Sequence, residues 1–169
     1  MEKRILILLE DMVEDSEFLY PYLRLKEEGF DVRSAAPGNK TYRGKGGMSF
    51  KPDWDFSDIK MEAFDAVVIP GGYAPDRWRR DREILDFVKR HHDNGKLVAS
   101  ICHGPWVLIS AGLVKGRRIT AFHAIKDDLI NAGADYTGND MEEDGLILTS
   151  TNPNTMLPMM KRLVERLRE

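Results

Sequence analysis

Short, almost wholly apolar runs alternate with amphipathic segments along this chain, and that alternation sets what it can fold into. RILILLE (4–10), FDVRSAAP (30–37), LVASI (97–101) and GLILTST (145–151) are such runs, and FDAVVIPGGYAPD (64–76) is one that passes into a glycine turn. A strand covered on both faces reads as a continuous apolar run, not as an alternation. Between the runs, SEFLYPYLRLKEEG places Phe18, Leu19, Tyr22 and Leu25 at helical spacing and stops at Gly29, with Pro21 expected to kink this helix or fall near its start. DREILDFVKRHHDNG (81–95) carries Ile84, Leu85 and Val88 on one face, and PWVLISAG (105–112) and AIKDDLINAG (124–133) read as short helices. The last segment sets Met156, Leu157, Met160, Leu163, Val164 and Leu167 on one stripe. RRITAF (117–122) is a further strand candidate, and TYRGKGGMSF (41–50), with Gly44, Gly46 and Gly47, is a hairpin or turn-rich excursion.

Strand–helix–strand units in series predict a mainly parallel sheet with helices on both faces. The order is that of an α/β, flavodoxin-like three-layer sandwich, expected as one domain over 1–169. Ligands of such sheets bind beyond the carboxyl ends of the strands. Three stretches occupy that edge: EDMVED after the first strand, PGGYAPD after the third and CHGPW after the fourth.

The formal net charge of -3 provides no basic field for nucleic acid or anionic lipid. No apolar run approaches the ~20 residues that span a bilayer. Acidic residues follow the first apolar run where a cleavage site would stand, so that run reads as a strand and not as a signal peptide. A single cysteine forms no internal disulfide and points to a reducing, cytoplasmic setting. Four scattered histidines make a zinc site unexpected, and neither GxxxxGK[ST] nor GxGxxG occurs, so no cofactor is expected.

Cys102 stands where LVASI ends and the next helix begins, followed by His103, Gly104 and Pro105. Gly104 permits a tight turn, and proline suits a first helical position. This is the layout of a nucleophile elbow, and a helix start favours thiolate over thiol. The competing reading is a small buried hydrophobe; the position at the sheet's carboxyl edge and the neighbouring histidine argue against it. The glycines of PGG let the N–H groups of Gly72 and His103 approach a developing oxyanion. Of the acidic residues Glu10, Asp11, Glu14, Asp15 and Glu17, most suit a first helical turn, and one is expected to face the crevice as a carboxyl with a raised pKa.

ASICHGPWVLISAGLVKGRRIT, DAVVIPGGYAPD, IKDDLINAGA and LLEDMVEDSEFLYPY together resemble the ThiJ/PfpI superfamily, most of all its PfpI-like intracellular protease and deglycase branch. The resemblance implies that Cys102 is the nucleophile, Glu14 the crevice glutamate, and Gly72 and His103 the oxyanion donors. It implies an acid at the position of Asp76 that orients His103 from a neighbouring subunit, in dimers or in larger rings such as trimers and hexamers. Two departures stand out. Asp76 is a methylene shorter than the family's usual glutamate, and Phe122 replaces a tyrosine or histidine, so that His123 takes over as a substrate-binding group or the role is absent. Trp106 is expected in the core and Trp78 at an interface.

These residues imply an enzyme in which Cys102 attacks carbonyl compounds. The resemblance implies small dicarbonyls and glycated protein or peptide as substrates and the chemistry of a deglycase or glutathione-independent glyoxalase, with weak peptidase activity. The alternatives are a redox-sensing or chaperone-like stress protein using an oxidisable Cys102 and, last, a flavin or nucleotide module.

Overall fold

A computed structural model of the chain describes residues 2–59 and 64–169. The apolar runs become the centre of a seven-stranded sheet: β1 (Arg4–Leu8), β2 (Asp31–Ala36), β6 (Ala66–Ile69), β7 (Leu97–Ile101) and β11 (Ile147–Ser150) are mutually parallel. Two strands, β5 (Trp54–Asp55) and β10 (Met141–Asp144), complete it, in the order β10-β11-β7-β6-β1-β2-β5. β5 pairs parallel with β2, and β10 lies antiparallel to β11. β10 was not readable as a strand, because MEED is charged on both faces and is only partly buried. The stretch 117–122 forms a strand only over β8 (Arg118–Ile119), which pairs with β9 (Asp135–Tyr136) outside the main sheet.

The middle strands are fully buried, as continuous apolar runs demand. Among the helices are α1 (Asp15–Glu27), α2 (Ala74–Trp78), α3 (Arg82–Asp93), α4 (Pro105–Ser110), α5 (Lys126–Asn131) and α6 (Met156–Arg168). α1 and α6 pack against one another, while α2 and α3 both meet α4. The step from β1 to β2 runs opposite to the step from β6 to β7. Right-handed crossovers therefore place α1 and α3 on opposite faces. Pro21 lies inside α1 on its buried side, and the helix continues through it.

The reversal of direction between β1 and β6 is the topological switch point, where a crevice opens above the carboxyl ends. The turn after β1, the turn after β6 and the elbow after β7 meet there. The hairpin of β3 (Tyr42–Arg43) and β4 (Ser49–Phe50) reaches over the same edge. No helix of the described residues is long and apolar enough to cross a membrane.

Candidate active site

Cys102 follows directly on β7 and adopts φ 60, a left-handed conformation in a residue that has a Cβ. Such backbone strain concentrates at sites that hold a side chain out of a regular element. Hydrogen bonds keep the elbow there: Cys102 N donates to Ser150 O at 2.9 Å, Phe122 N to Cys102 O at 3.0 Å, and Gly104 N to Ile101 O at 2.7 Å. Gly104 is required, since a Cβ at that position would lie 2.5 Å from Ser100 Oγ and 2.6 Å from Ile69 O. The cysteine is partly exposed.

The sulfur lies 3.3 Å from His103 Nδ1, and the backbone N–H groups of His103 and Gly72 also interact with it. Cys102, His103 and Gly72 are thus brought together. Glu17 joins them and is wholly buried. Its Oε2 accepts from Gly71 N at 2.7 Å, while Oε1 is buried without a hydrogen-bond partner. A Cβ on Gly71 would meet Glu17 Oε2 at 2.5 Å and Cys102 Cβ at 2.8 Å, so glycine there lets carboxyl and thiol stand side by side.

This corrects the expectation for Glu14. Glu14 stands at the N-terminal end of α1 and pairs with Lys45 Nζ at 3.0 Å, whereas Glu17 lies a turn further on, on the buried side of the helix. The signal was present in the sequence. Glu17, Pro21 and Leu25 follow at i, i+4 and i+8, so Glu17 is the acid on the apolar stripe. The other acids have structural tasks. Asp15 accepts from Gly46 N and from Met48 N (2.9 Å), and Asp11 accepts from Arg43 N and pairs with Lys40 at 2.7 Å, which fastens the glycine-rich hairpin to the start of α1.

The two buried acids set each other's titration. Burial pushes Glu17 up to about 7, helped by the charge of Glu14 and opposed by Gly71 N–H, the Cys102 thiol and Lys45. Burial likewise pushes the Cys102 thiol up to about 12, with the Glu17 charge adding to it and the His103 and Gly72 N–H groups opposing. The expectation that the helix start would itself keep the sulfur ionised is therefore not met, because α4 supplies only a few N–H groups against desolvation and a neighbouring carboxylate. The proton is a property of the pair.

His103 is held below its ordinary pKa by burial, with Lys45 and His123 adding repulsion. Asp76 is exposed and pairs with Arg80 at 3.0 Å within its own chain. His123 is exposed and rests on Phe122 with ring centroids 4.4 Å apart, without touching the sulfur. The two tryptophans exchange their expected places. Trp78 is buried, and Trp106 is partly exposed with its edge towards the His103 ring, 5.3 Å between centroids. PWVLIS is apolar throughout, but α4 begins at the crevice, so its first aromatic lies at the rim. Lys45 escaped the sequence reading because only the hairpin's docking on Asp15 brings it to the elbow.

The chain matches the DJ-1/PfpI family over residues 3–166. It is 43% identical over 165 residues to a deglycase of Pyrococcus abyssi, covering 98% of this chain and 99% of that protein. It is 41% identical over the same length to the deglycase PfpI of Pyrococcus furiosus, again covering 98% and 99%. A solved two-domain protein of Anabaena variabilis, which joins a DJ-1/ThiJ/PfpI-like domain to a ferritin-like one, superposes with a TM-score of 0.96 at 42% identity. That superposition covers 98% of this chain and 48% of the larger protein. An elbow cysteine beside a buried glutamate on this sheet, together with matches along nearly its whole length, makes this chain a member of the DJ-1/PfpI family.

Proposed function

We propose that the protein is a deglycase that removes α-oxoaldehydes from amines, and that it also acts on the free aldehydes. The observation that carries this is the buried Glu17–Cys102 pair, flanked by His103 and by the N–H groups of Gly72 and His103. Proton transfer from thiol to carboxylate gives a thiolate beside a neutral acid with no change in the pair's charge. With its pKa raised to about 7, Glu17 is a stronger base for that transfer than an ordinary carboxylate. The thiolate forms a C–S bond at the aldehyde carbon, or at the same carbon of an amine adduct with release of the amine. The oxyanion lies on the two N–H groups. With a free aldehyde Glu17 returns the proton to that oxygen; with an amine adduct, whose carbon already bears a hydroxyl, Glu17 gives the proton to the departing nitrogen. A hydrogen shift to the neighbouring carbonyl carbon turns the hemithioacetal into a thioester of a 2-hydroxy acid, and water releases that acid and restores the thiol. The relatives named deglycase support the same chemistry. A glutamate packed against the sulfur suits a small aldehyde better than an extended peptide, so peptidase activity is the minor one. Assembly that brings a neighbour's Asp76 towards His103 belongs to this proposal.

Incubation with methylglyoxal, and with a methylglyoxal-treated amine, tests it. Lactate is expected from the wild type and none from Cys102→Ser. Peptide cleavage by the wild type that Cys102→Ser loses, with no lactate in either, overturns the ranking. A selective gain of two oxygens at Cys102 under mild peroxide, with no turnover of any carbonyl, favours the redox-sensing alternative.

A further inference from the structure

No carboxylate among the described residues hydrogen-bonds the His103 ring. Among the described residues, the Cys102 sulfur is the side-chain group hydrogen-bonded to its ring, through Nδ1 at 3.3 Å. Carbon holds the rest of the ring. Phe122 stacks on it with centroids 5.0 Å apart and planes at 27°, and Trp106 meets it edge-on at 5.3 Å and 68°. Phe122 is fixed through its own N–H to Cys102 O at 3.0 Å, so the stacking ring is tied to the elbow it serves. Trp106 is fixed by charge on either side: its Nε1 donates to Asp128 Oδ2 at 2.8 Å, and the Arg79 guanidinium lies over its ring at 5.1 Å while hydrogen-bonding Ser110 Oγ. Asp128 itself is exposed and on α5, remote in sequence from the elbow.

We propose that Phe122 and Trp106, the latter braced by Asp128, form an aromatic clamp that positions His103 with Nδ1 on the sulfur, making Phe122, Trp106 and Asp128 positioning residues for the cysteine chemistry. Edge-to-face and offset-stacked contacts fix ring planes, and a hydrogen bond from an indole N–H fixes the tryptophan that provides the edge. Phe122 has no proton to exchange, so its contribution is geometric. The clamp keeps one face of the imidazole from water. Burial, Lys45 from the hairpin and His123 beyond Phe122 lower its titration; the other charged or titratable groups around the clamp are the Cys102 sulfur, Glu17 beside it, and Arg79 and Asp128, which each meet Trp106.

The readouts are the rate of iodoacetamide alkylation of Cys102 and the ring titration of His103 by histidine ring-carbon NMR. Neither depends on which carbonyl compound is the substrate, so the clamp and the deglycase reading can fail separately. Asp128→Ala and Phe122→Leu are expected to slow alkylation about five- to tenfold, since loosening a placed catalytic group is felt strongly in rate. Both are also expected to move the His103 titration upward, towards the ordinary value of 6.5. Asp128→Asn keeps an oxygen that accepts the indole N–H and is expected to behave as the wild type. Asp127→Ala, an exposed neighbour, controls for surface charge. Unchanged alkylation and unchanged titration in folded Asp128→Ala and Phe122→Leu overturn the clamp. Equal effects of Asp128→Asn and Asp128→Ala overturn it too, because the carboxylate would then act by charge and not by holding Trp106.

Discussion

Glu17 shows how much depends on one side chain. A carboxyl group sealed beside a thiol, with one oxygen left unpaired, is costly to ionise. Its raised pKa carries a definite sign. The folded state holds the proton more tightly than the unfolded chain, so the favourable contribution is complete below about 4.5 and is lost as pH rises to about 7. Glu17→Gln removes that cost. We expect it to raise unfolding stability at pH 8 by about 1–3 kcal/mol, while changing it little near pH 4, as read from denaturant midpoints. The same variant is expected to lower kcat/KM on methylglyoxal by about two to four orders of magnitude, whereas Glu14→Gln stays within a few-fold. Comparable losses in the two variants would return the proton-carrying role to the rim. At this scale the sequence made it legible that Cys102, His103 and Gly72 share one edge, because a strand end followed by Gly-Pro and a Gly-Gly turn are local signals. It was misread for the glutamate. The acids crowd one short stretch, and only helix phase, with Pro21 and Leu25 marking the buried stripe, separates Glu17 from Glu14.

The elements that matter for the site are turns held by other turns. Val13 and Gly72 form an isolated bridge, Tyr73 N donates to Met12 O at 2.9 Å, and Glu14 N donates to Gly71 O at 3.2 Å. Lys45 N donates to Val13 O at 2.8 Å, so the hairpin is fastened to the same strip of chain. Gly72 sits at φ +76, and a Cβ on it would come within 2.4 Å of the Glu14 backbone nitrogen and 2.5 Å of Met12 O. Neither neighbour can move without opening the interlock. Gly72→Ala is therefore expected to cost about 2–4 kcal/mol in thermal unfolding and to displace the N–H aimed at the sulfur. A variant with wild-type melting and turnover would show that the turn yields without consequence. The helices and central strands were legible at this scale because their apolar periods are strong. β8 was legible only as the longer candidate 117–122 and β9 was not, since each is two residues long and gains its pairing from tertiary contacts.

Across the molecule, α3 joins β7 through a buried histidine. His91 is 1% exposed, its Nε2–H donates to Leu97 O at 3.1 Å, and its Nδ1 has no partner. Burial lowers its pKa to about 4, with Leu97 O opposing. The unfolded chain takes up this proton at ordinary histidine pH and the folded chain refuses it. Stability from this group is thus complete above about 6.5 and drains away as pH falls towards 4. Glu17 works in the opposite direction over the upper part of that window. We expect His91→Phe, measured by denaturant midpoints near pH 7 and near pH 5, to abolish about 2 kcal/mol of the acid-side loss. An equal pH slope in variant and wild type would place the acid sensitivity elsewhere. The parallel arrangement and the carboxyl-end edge followed from segment order, whereas the strand reversal between β1 and β6 did not. The arginine–carboxylate contacts that link the last helix to β10, Arg162 and Arg166 with Glu143, did not, since they join residues far apart in sequence.

The edges of the sheet carry a consequence for self-association. On one side β10 presents an acidic strand running against its neighbour, crossed by Arg118, which donates to Glu143 O at 2.9 Å. On the other, β5 ends after two residues. Among the described residues the main sheet offers a second molecule no long apolar edge, which disfavours growth by edge-to-edge strand pairing.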